Sequence, residues 1–450
     1  MRRKIYERLL EWKHRSQGKT ALLIEGARRV GKSWIVQEFA RREYADYLLI
    51  DFSLANETVR GIFQDDLMDL KSFFRKLFAL YSKSLPVRQS LIIFDEVQLF
   101  PRAREAVKHL VADGRYDYVE TGSLLSIREH TADILLPSEE ERLTMCPMDF
   151  EEFLWCMEES PLMDYIRSCH QERSPLGSGL HRKAMWLIRE YMVLGGMPQV
   201  LEKYIKTNDL HDAEIEKRTI LRLYRDDVAR HAGKYALKVA GIFDDIPAQL
   251  KSHNKVFHLS SLNKNARMRD YGDAFLWLDD ARIVNLCCNA TEPNVGLRLN
   301  RDKSVLKCYM GDTGLLFSLA FDENEMASQE IHRRMLFGNL SVNQGMLFEN
   351  LVAQMLVASG HKLYFFKQSD VSEEKEKMEV DFLISKSTLS RGHNILPLEV
   401  KSSRSYSLVS LERFQAKYSQ FLGQNYVIHP KDLQDDGKIL RLPVYMVPLL

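Results

Sequence analysis

The sequence predicts an α/β protein of several domains, on three observations. The segment Gly26-Ala27-Arg28-Arg29-Val30-Gly31-Lys32-Ser33 follows an apolar run, Ala21-Leu22-Leu23-Ile24, and precedes helix-compatible residues from Trp34 to Glu38. Strand and helix patterns alternate over residues 1–160, which implies a parallel sheet covered on both faces. After a helical middle, that alternation resumes from about residue 340. A chain of 450 residues has room for about two to four domains. The reading taken here is an N-terminal domain over 1–160, a helical middle region over 161–335 and a C-terminal α/β domain over 336–450.

In the first domain the strand candidates are Thr20–Glu25, Tyr47–Asp51, Ser90–Phe94, Tyr116–Thr121 and Arg142–Met145, with helices at Leu70–Tyr81 and Arg102–Val111. The first strand runs into the pattern G-x-x-x-x-G-K-[ST]. Its glycines let successive N–H groups turn inward, and the helix that follows adds the positive end of its dipole. This is the P-loop, and it predicts a P-loop NTPase domain that binds ATP with Mg²⁺. Residues Gly26 to Ser33, with Trp34, are expected to line the phosphates. Lys32 is expected to reach the β- and γ-phosphates, and the Ser33 hydroxyl to hold Mg²⁺.

Ser90-Leu91-Ile92-Ile93-Phe94 is apolar throughout, as a strand buried on both faces should be, and ends in Asp95-Glu96. Charge at a strand's C-terminal exit is charge where ligands bind in open α/β sheets. Asp95 suits a place beside Mg²⁺, reached through water, and Glu96 suits polarisation of the attacking water. Thr121 and Ser123, at the end of a further strand, are candidates for sensing the γ-phosphate. A positive charge on that phosphate accelerates transfer. Arg28, Arg29, Arg102 and Arg142 lie on loops that can approach it, and Arg142 ranks first.

From about 150 to 255 the pattern is helical, as in Glu151–Glu158, His181–Leu194 and Ala213–Ala232, with Gly195-Gly196-Met197-Pro198 as a sharp stop. Between 235 and 330 a helix at Tyr271–Leu278 and extended segments at Ala281–Val284 and Leu306–Met310 are compatible with a winged helix. The basic run Lys264–Arg269 falls near its expected recognition helix, so DNA contact and a protein-binding platform are both open there.

The last domain reads as helix Met346–Ala358, strands Lys362–Phe366, Met378–Ile384 and Ile395–Val400, helix Val409–Leu422 and strand Tyr426–His429, with a polar loop at 371–377. Glu399 and Lys401, two apart on a strand, share a face. Asp381 on the preceding strand and Glu349 on the preceding helix complete a cluster able to hold a second divalent metal. An acidic residue, then Asp, then Glu-x-Lys is the pattern of a restriction-endonuclease-like fold. The alternative is a cross-strand ion pair at a sheet rim.

Composition narrows the partners. A net charge of +1 gives no global field toward nucleic acid or membrane. No apolar run approaches the length of a membrane span. Six cysteines, Cys146, Cys156, Cys169, Cys287, Cys288 and Cys308, form no C-x-x-C pair, which suits free thiols in a cytoplasmic protein.

Taken together, these stretches make the chain resemble, over nearly its full length, prokaryotic AAA-type P-loop ATPases fused to a C-terminal domain of uncharacterised function. The islands that carry the resemblance are Glu25–Ser33, Phe94–Gln98, Thr121–Ser123, Arg142–Phe153, Gly195–Pro198, Tyr224–Val228, Asp312–Leu316, Phe348–Asn350 and Leu398–Lys401. The resemblance implies ATP binding and hydrolysis, a winged-helix-like middle and a nuclease-like core. The chain departs from the pattern with Ser33 for the commoner Thr, Met148-Asp149 for Leu-Ser, and Val380 where a Pro often precedes the Asp. Two functions follow as expectations. One is an ATPase whose nucleotide state acts on a C-terminal domain that meets DNA or RNA. The other is a nucleotide-dependent signalling switch with a protein partner, little turnover and an inactive nuclease-like domain. Oligomerisation is compatible with both.

Overall fold

The computed structural model describes residues 1–122, 138–252, 254–294, 296–322, 334–336, 344–368, 377–386, 393–403 and 405–450. Ser123 and most of the expected polar loop, residues 371–376, lie outside the described residues. The chain forms two compact units, Met1–Cys146 and Pro147–Leu450.

The first unit contains α1 (Ile5–Ser16), β1 (Ala21–Gly26), α2 (Lys32–Glu43), β2 (Asp46–Asp51), α3 (Glu57–Asp65), α4 (Leu70–Tyr81), β3 (Ser90–Asp95), α5 (Arg102–Asp113), β4 (Asp117–Gly122) and β5 (Glu140–Met145). Its five strands run parallel in the order β2-β3-β4-β1-β5. β1, β3 and β4 are buried at every residue, as the apolar runs in β1 and β3 require of strands covered on both faces. Leu22, Ile24, Ile93 and Val119 pack with Val36 and Phe39 of α2 on one face. Leu23, Ile92, Phe94 and Tyr118 pack with Phe63, Phe73 and Val107 on the other. β4 lies between β1 and β3, so the sheet has the extra strand that the Thr121 reading requires.

The second unit begins with helices: α6 (Phe150–Cys156), α7 (Ser160–Glu172), α8 (Ser178–Leu194), α9 (Pro198–Thr207), α10 (Leu210–His231), α11 (Ala236–Lys251) and α12 (Met268–Asp280). Asp149 caps α6 through a reciprocal pair with Glu152, an effective helix start even with Met148-Asp149 in place of Leu-Ser. There follow β6 (Val284–Ala290), β7 (Arg301–Met310), α13 (Thr313–Ala320), α14 (Gln344–Ala358), β8 (Tyr364–Gln368), β9 (Met378–Ser385), β10 (Ile395–Val400), α15 (Val409–Tyr418), β11 (Asn425–His429), β12 (Gln434–Asp435) and β13 (Ile439–Pro443).

These strands form one mixed sheet in the order β12-β13-β11-β10-β9-β8-β6-β7. This sheet draws strands from both of the last two segments of the three-part division read from the sequence. The antiparallel pair β6–β7, expected as the strands of a separate winged helix, is continuous with the C-terminal strands through parallel pairing of Cys288 and Asn289 with Tyr364 and Phe365. Sequence periodicity finds strands but not their long-range partners, which explains the difference. The basic run 264–269 is correspondingly a turn that enters α12 only at Met268, with Lys264, Arg267 and Arg269 exposed.

Candidate functional site

The P-loop leaves β1 at Gly26 and enters α2 at Lys32, with Gly31 at the helix start in the left-handed region, φ 98°. Arg29 is also left-handed, at φ 68°. Ala27 and Val30 are buried beneath the loop, and Arg28 and Arg29 lie at the surface. Lys32 is buried, and its Nζ donates to the carbonyls of Gly26 and Ala27 at 2.9 and 3.0 Å. Its ammonium therefore lies over the loop it belongs to.

Asp95 gathers the neighbouring elements. Its Oδ1 accepts from Ser33 Oγ at 2.9 Å, from Thr121 Oγ1, and from the Glu96 backbone N–H at 3.2 Å. One carboxylate oxygen thus ties the first turn of α2 to the ends of β3 and β4. Glu96 follows in the left-handed region, φ 52°, and its carboxylate accepts from the Gln98 amide. Gln98 is a site residue that the motif readings did not assign. A single turn of 3₁₀ helix, Val97–Leu99, brings it back to Glu96, a turn that the sequence pattern does not announce.

Arg142, ranked first among the arginines from sequence, has carboxylate partners within the sheet. It is the third residue of β5, not the first, and sits beside Leu23 within the sheet. Its guanidinium binds Glu140 at 2.9 Å and lies 3.7 Å from Glu25. A side chain engaged by two carboxylates on a sheet edge is a poor mobile arginine. Arg102 is half-exposed and 3.7 Å from Glu105.

Trp34, on the first turn of α2, is 45% exposed. It borders a cavity of about 410 Å³ between α1 and α2, lined also by Arg2, Arg3, Tyr6, Ile35 and Glu38. Arg3, buried, donates to the P-loop carbonyl of Val30 at 3.0 Å and to that of Cys146 at 2.7 Å.

In the second unit the structure brings together the residues of the expected metal cluster, but with additional company. Glu349, on α14, accepts from Tyr309 at 2.6 Å and binds Lys255 and Lys307, the latter at 3.3 Å. Lys307 also lies 3.4 Å from Asp381 and 3.3 Å from Glu379. Glu399 and Lys401 share a face as expected, 2.7 Å apart. Burial works to raise the Glu349 carboxyl, but Lys307 and then Lys255 outweigh it and bring it down to about 2. Burial, followed by the charge of Asp381, pushes Glu399 up to about 8. Among the described residues no group of three or more His, Cys, Asp or Glu side chains is disposed to hold a metal ion, so the geometry adds no support to the second metal expected from sequence. Lysines on β7 and after α11 stand among these carboxylates. Sequence spacing missed them because they precede the cluster by tens of residues.

Comparison with known proteins agrees with the first unit's geometry. Residues 18–154 match the family described as AAA domain. Residues 185–325 match Domain of unknown function (DUF8612), and residues 344–445 match Domain of unknown function (DUF4143). No curated protein matches the chain. Among solved structures, a Walker-type ATPase of Pyrococcus abyssi aligns at 14% identity and a TM-score of 0.40, over 71% of this chain and 95% of its own. Cdc6p from Pyrobaculum aerophilum aligns at 10% identity and a TM-score of 0.25, over 74% of this chain and 93% of its own. No helix of the described residues is long and apolar enough to cross a membrane. The N-terminal unit has the sheet, the phosphate loop and the acidic strand of a P-loop ATPase domain of the AAA type.

Proposed function

We propose that the chain binds ATP with Mg²⁺ at the C-terminal edge of the first sheet, hydrolyses it, and transmits nucleotide state to the second unit. One observation supports this most: Asp95 Oδ1 accepts from both Ser33 and Thr121, so the residues assigned to the metal and to γ-phosphate sensing already converge on one carboxylate. In this reading the phosphate oxygens replace the Gly26 and Ala27 carbonyls as partners of Lys32. Ser33 and Asp95 hold the Mg²⁺, directly and through water. Mg²⁺ held by Ser33 and Asp95 would supply positive charge against the charge that develops during transfer. Thr121 and Ser123 report the γ-phosphate. Glu96, oriented by Gln98, draws the proton of the attacking water, and at a half-buried position it remains close enough to solvent to release it. The base fits the cavity beside Trp34, whose exposed indole offers a stacking face.

We further infer that the second unit carries the restriction-endonuclease-like and winged-helix-like parts implied by the resemblance. The juxtaposition of Glu349, Asp381, Glu399 and Lys401 supports the former, and the order α11, α12, then the β6–β7 pair supports the latter. DNA or RNA is the partner of the first reading. The signalling-switch reading draws on the lysines within the carboxylate cluster, which suit binding better than metal-assisted cleavage.

The Glu96→Gln variant separates the two readings. In a hydrolase it retains ATP binding and loses phosphate release by about 10²-fold or more, the usual scale for a positioned base. Unchanged phosphate release, or unchanged cellular function despite lost release, supports the switch. Nucleic-acid stimulation of turnover by duplex DNA, single-stranded DNA or RNA identifies the partner class of the first reading.

A further inference from the structure

The carboxylates of the second unit converge as ligands of a divalent metal do, yet ammonium groups complete their geometry. Lys307 Nζ lies 3.3 Å from Glu349, 3.4 Å from Asp381 and 3.3 Å from Glu379. It is 1% exposed, and the ring of Phe365 covers it with its centroid 5.1 Å away. Lys255 binds the second oxygen of Glu349, and Tyr309 donates to the first. Lys401 binds Glu399 at 2.7 Å, and Lys367 lies 3.9 Å from Glu379. The second oxygen of Asp381 accepts from the Val400 N–H at 2.8 Å. Glu349, Asp381, Glu379 and Glu399 thus each have an ammonium partner among Lys255, Lys307, Lys367 and Lys401.

A second feature points to a cation place that the lysines do not wholly fill. Glu399 is more than nine-tenths buried, and its Oε2 has no hydrogen-bond partner. Divalent cations such as Ca²⁺ and Mg²⁺ need about six oxygen ligands, and one open carboxylate oxygen falls far short. Taking carboxylates out of water without a compensating cation is strongly unfavourable. A lysine meets that need through the fold, since its ammonium is tethered and neither a chelator nor dilution removes it.

We propose that Lys307 is the resident cation of this cluster. The wild-type site binds no divalent metal and hydrolyses no phosphodiester bond, and removal of the Lys307 ammonium converts it into a divalent-cation site built from Glu349, Asp381 and Glu399. This inference is independent of nucleotide binding at the P-loop.

The test uses the full chain without nucleotide, titrated with Mn²⁺ and followed by the free-ion electron paramagnetic resonance signal. Wild type and Asp381→Asn are expected to give the same weak, unsaturated binding. Lys307→Ala is expected to gain one site at least about tenfold tighter, because a buried like charge no longer opposes the ion. Adding Asp381→Asn to Lys307→Ala is expected to abolish that site. A saturable wild-type site that Asp381→Asn removes would overturn the proposal, as would a folded Lys307→Ala chain that gains none. If Lys307→Ala fails to fold, the wild-type arm still decides. It is joined by a cleavage assay with duplex DNA, single-stranded DNA and RNA in Mn²⁺, where wild type exceeding Asp381→Asn sinks the idea and equality supports it.

Discussion

Gly26 carries no side chain because a Cβ there would stand 2.4 Å from the carbonyl oxygen of Met145 on the neighbouring strand. Its role in the P-loop is thus set by packing as well as by backbone freedom. Gly26→Ala is expected to displace the start of the loop and weaken nucleotide binding while most of the fold survives, measurable as lost ATP affinity with a retained circular dichroism spectrum. Glu120, one residue before Thr121, is fully buried between Arg104 and Glu140, 3.4 Å from the former. Burial first, and the Glu140 charge second, push its carboxyl up from 4.5 to about 8. The folded chain keeps a proton that the unfolded chain releases. The stabilisation is full below the unfolded value and is lost as pH rises through the folded one. Between about pH 5 and pH 8 the wild type is therefore expected to lose on the order of a few kcal/mol that Glu120→Gln does not lose. Thermal unfolding at both pH values checks this, and parallel losses in the two proteins would contradict it. At this scale the nearness of Ser33, Asp95 and Thr121 was legible in the sequence, because a motif with fixed spacing puts them at adjoining element ends, and their roles are those proposed above. Gln98 and Lys307 were not legible, because their meaning depends on what faces them in space.

At the scale of elements, Gly195-Gly196-Met197-Pro198 reads in sequence as a helix stop and nothing more. In the structure it is one side of a buried network. The Gly196 N–H donates to Asp312 at 2.6 Å, and Met148 N donates to the Gly196 carbonyl at 2.7 Å. The Tyr191 hydroxyl donates to Met148 O at 2.5 Å and accepts from Gln354 at 3.0 Å. Asp312 also caps α13 through the Leu315 N–H at 2.9 Å. The motifs around Gly196, Asp312 and Asn350 are thereby explained as joints between α8, α13 and α14, with Asn350 bonded to Met310 and Thr313. A Cβ on Gly196 would lie 2.1 Å from Met148 O, a backbone atom that cannot swing aside. Gly196→Ala is expected to lower stability by about 1–3 kcal/mol or more, as overpacking of a tight core does. Urea denaturation with an unchanged midpoint would contradict this. Helices and strands were largely found from periodicity. The exceptions have local causes: α15 stops at Tyr418, short of the expected Leu422, and β6 starts only at Val284 because Arg282 turns left-handed at φ 59° after α12.

At the scale of the whole molecule, an N-terminal P-loop unit and a second unit with an eight-stranded sheet divide the chain. The first unit ends at Cys146, where the alternating strand and helix pattern of the sequence gives way to helices. The union of the middle helices with the last sheet was not legible in the sequence, since β6 and β8 pair across seventy-six residues of sequence, Cys288 with Tyr364. The central claim is that Mg²⁺ and a triphosphate dock where β1, β3 and β4 end. Calorimetric titration of the full chain with ATP and Mg²⁺ tests it most directly, with Lys32→Ala as the control. The account predicts one site in the wild type, weakened by roughly 10–100-fold in Lys32→Ala on the scale of a charge-assisted hydrogen bond. No binding by the folded wild type at millimolar ATP, or equal binding by the two proteins, would contradict it.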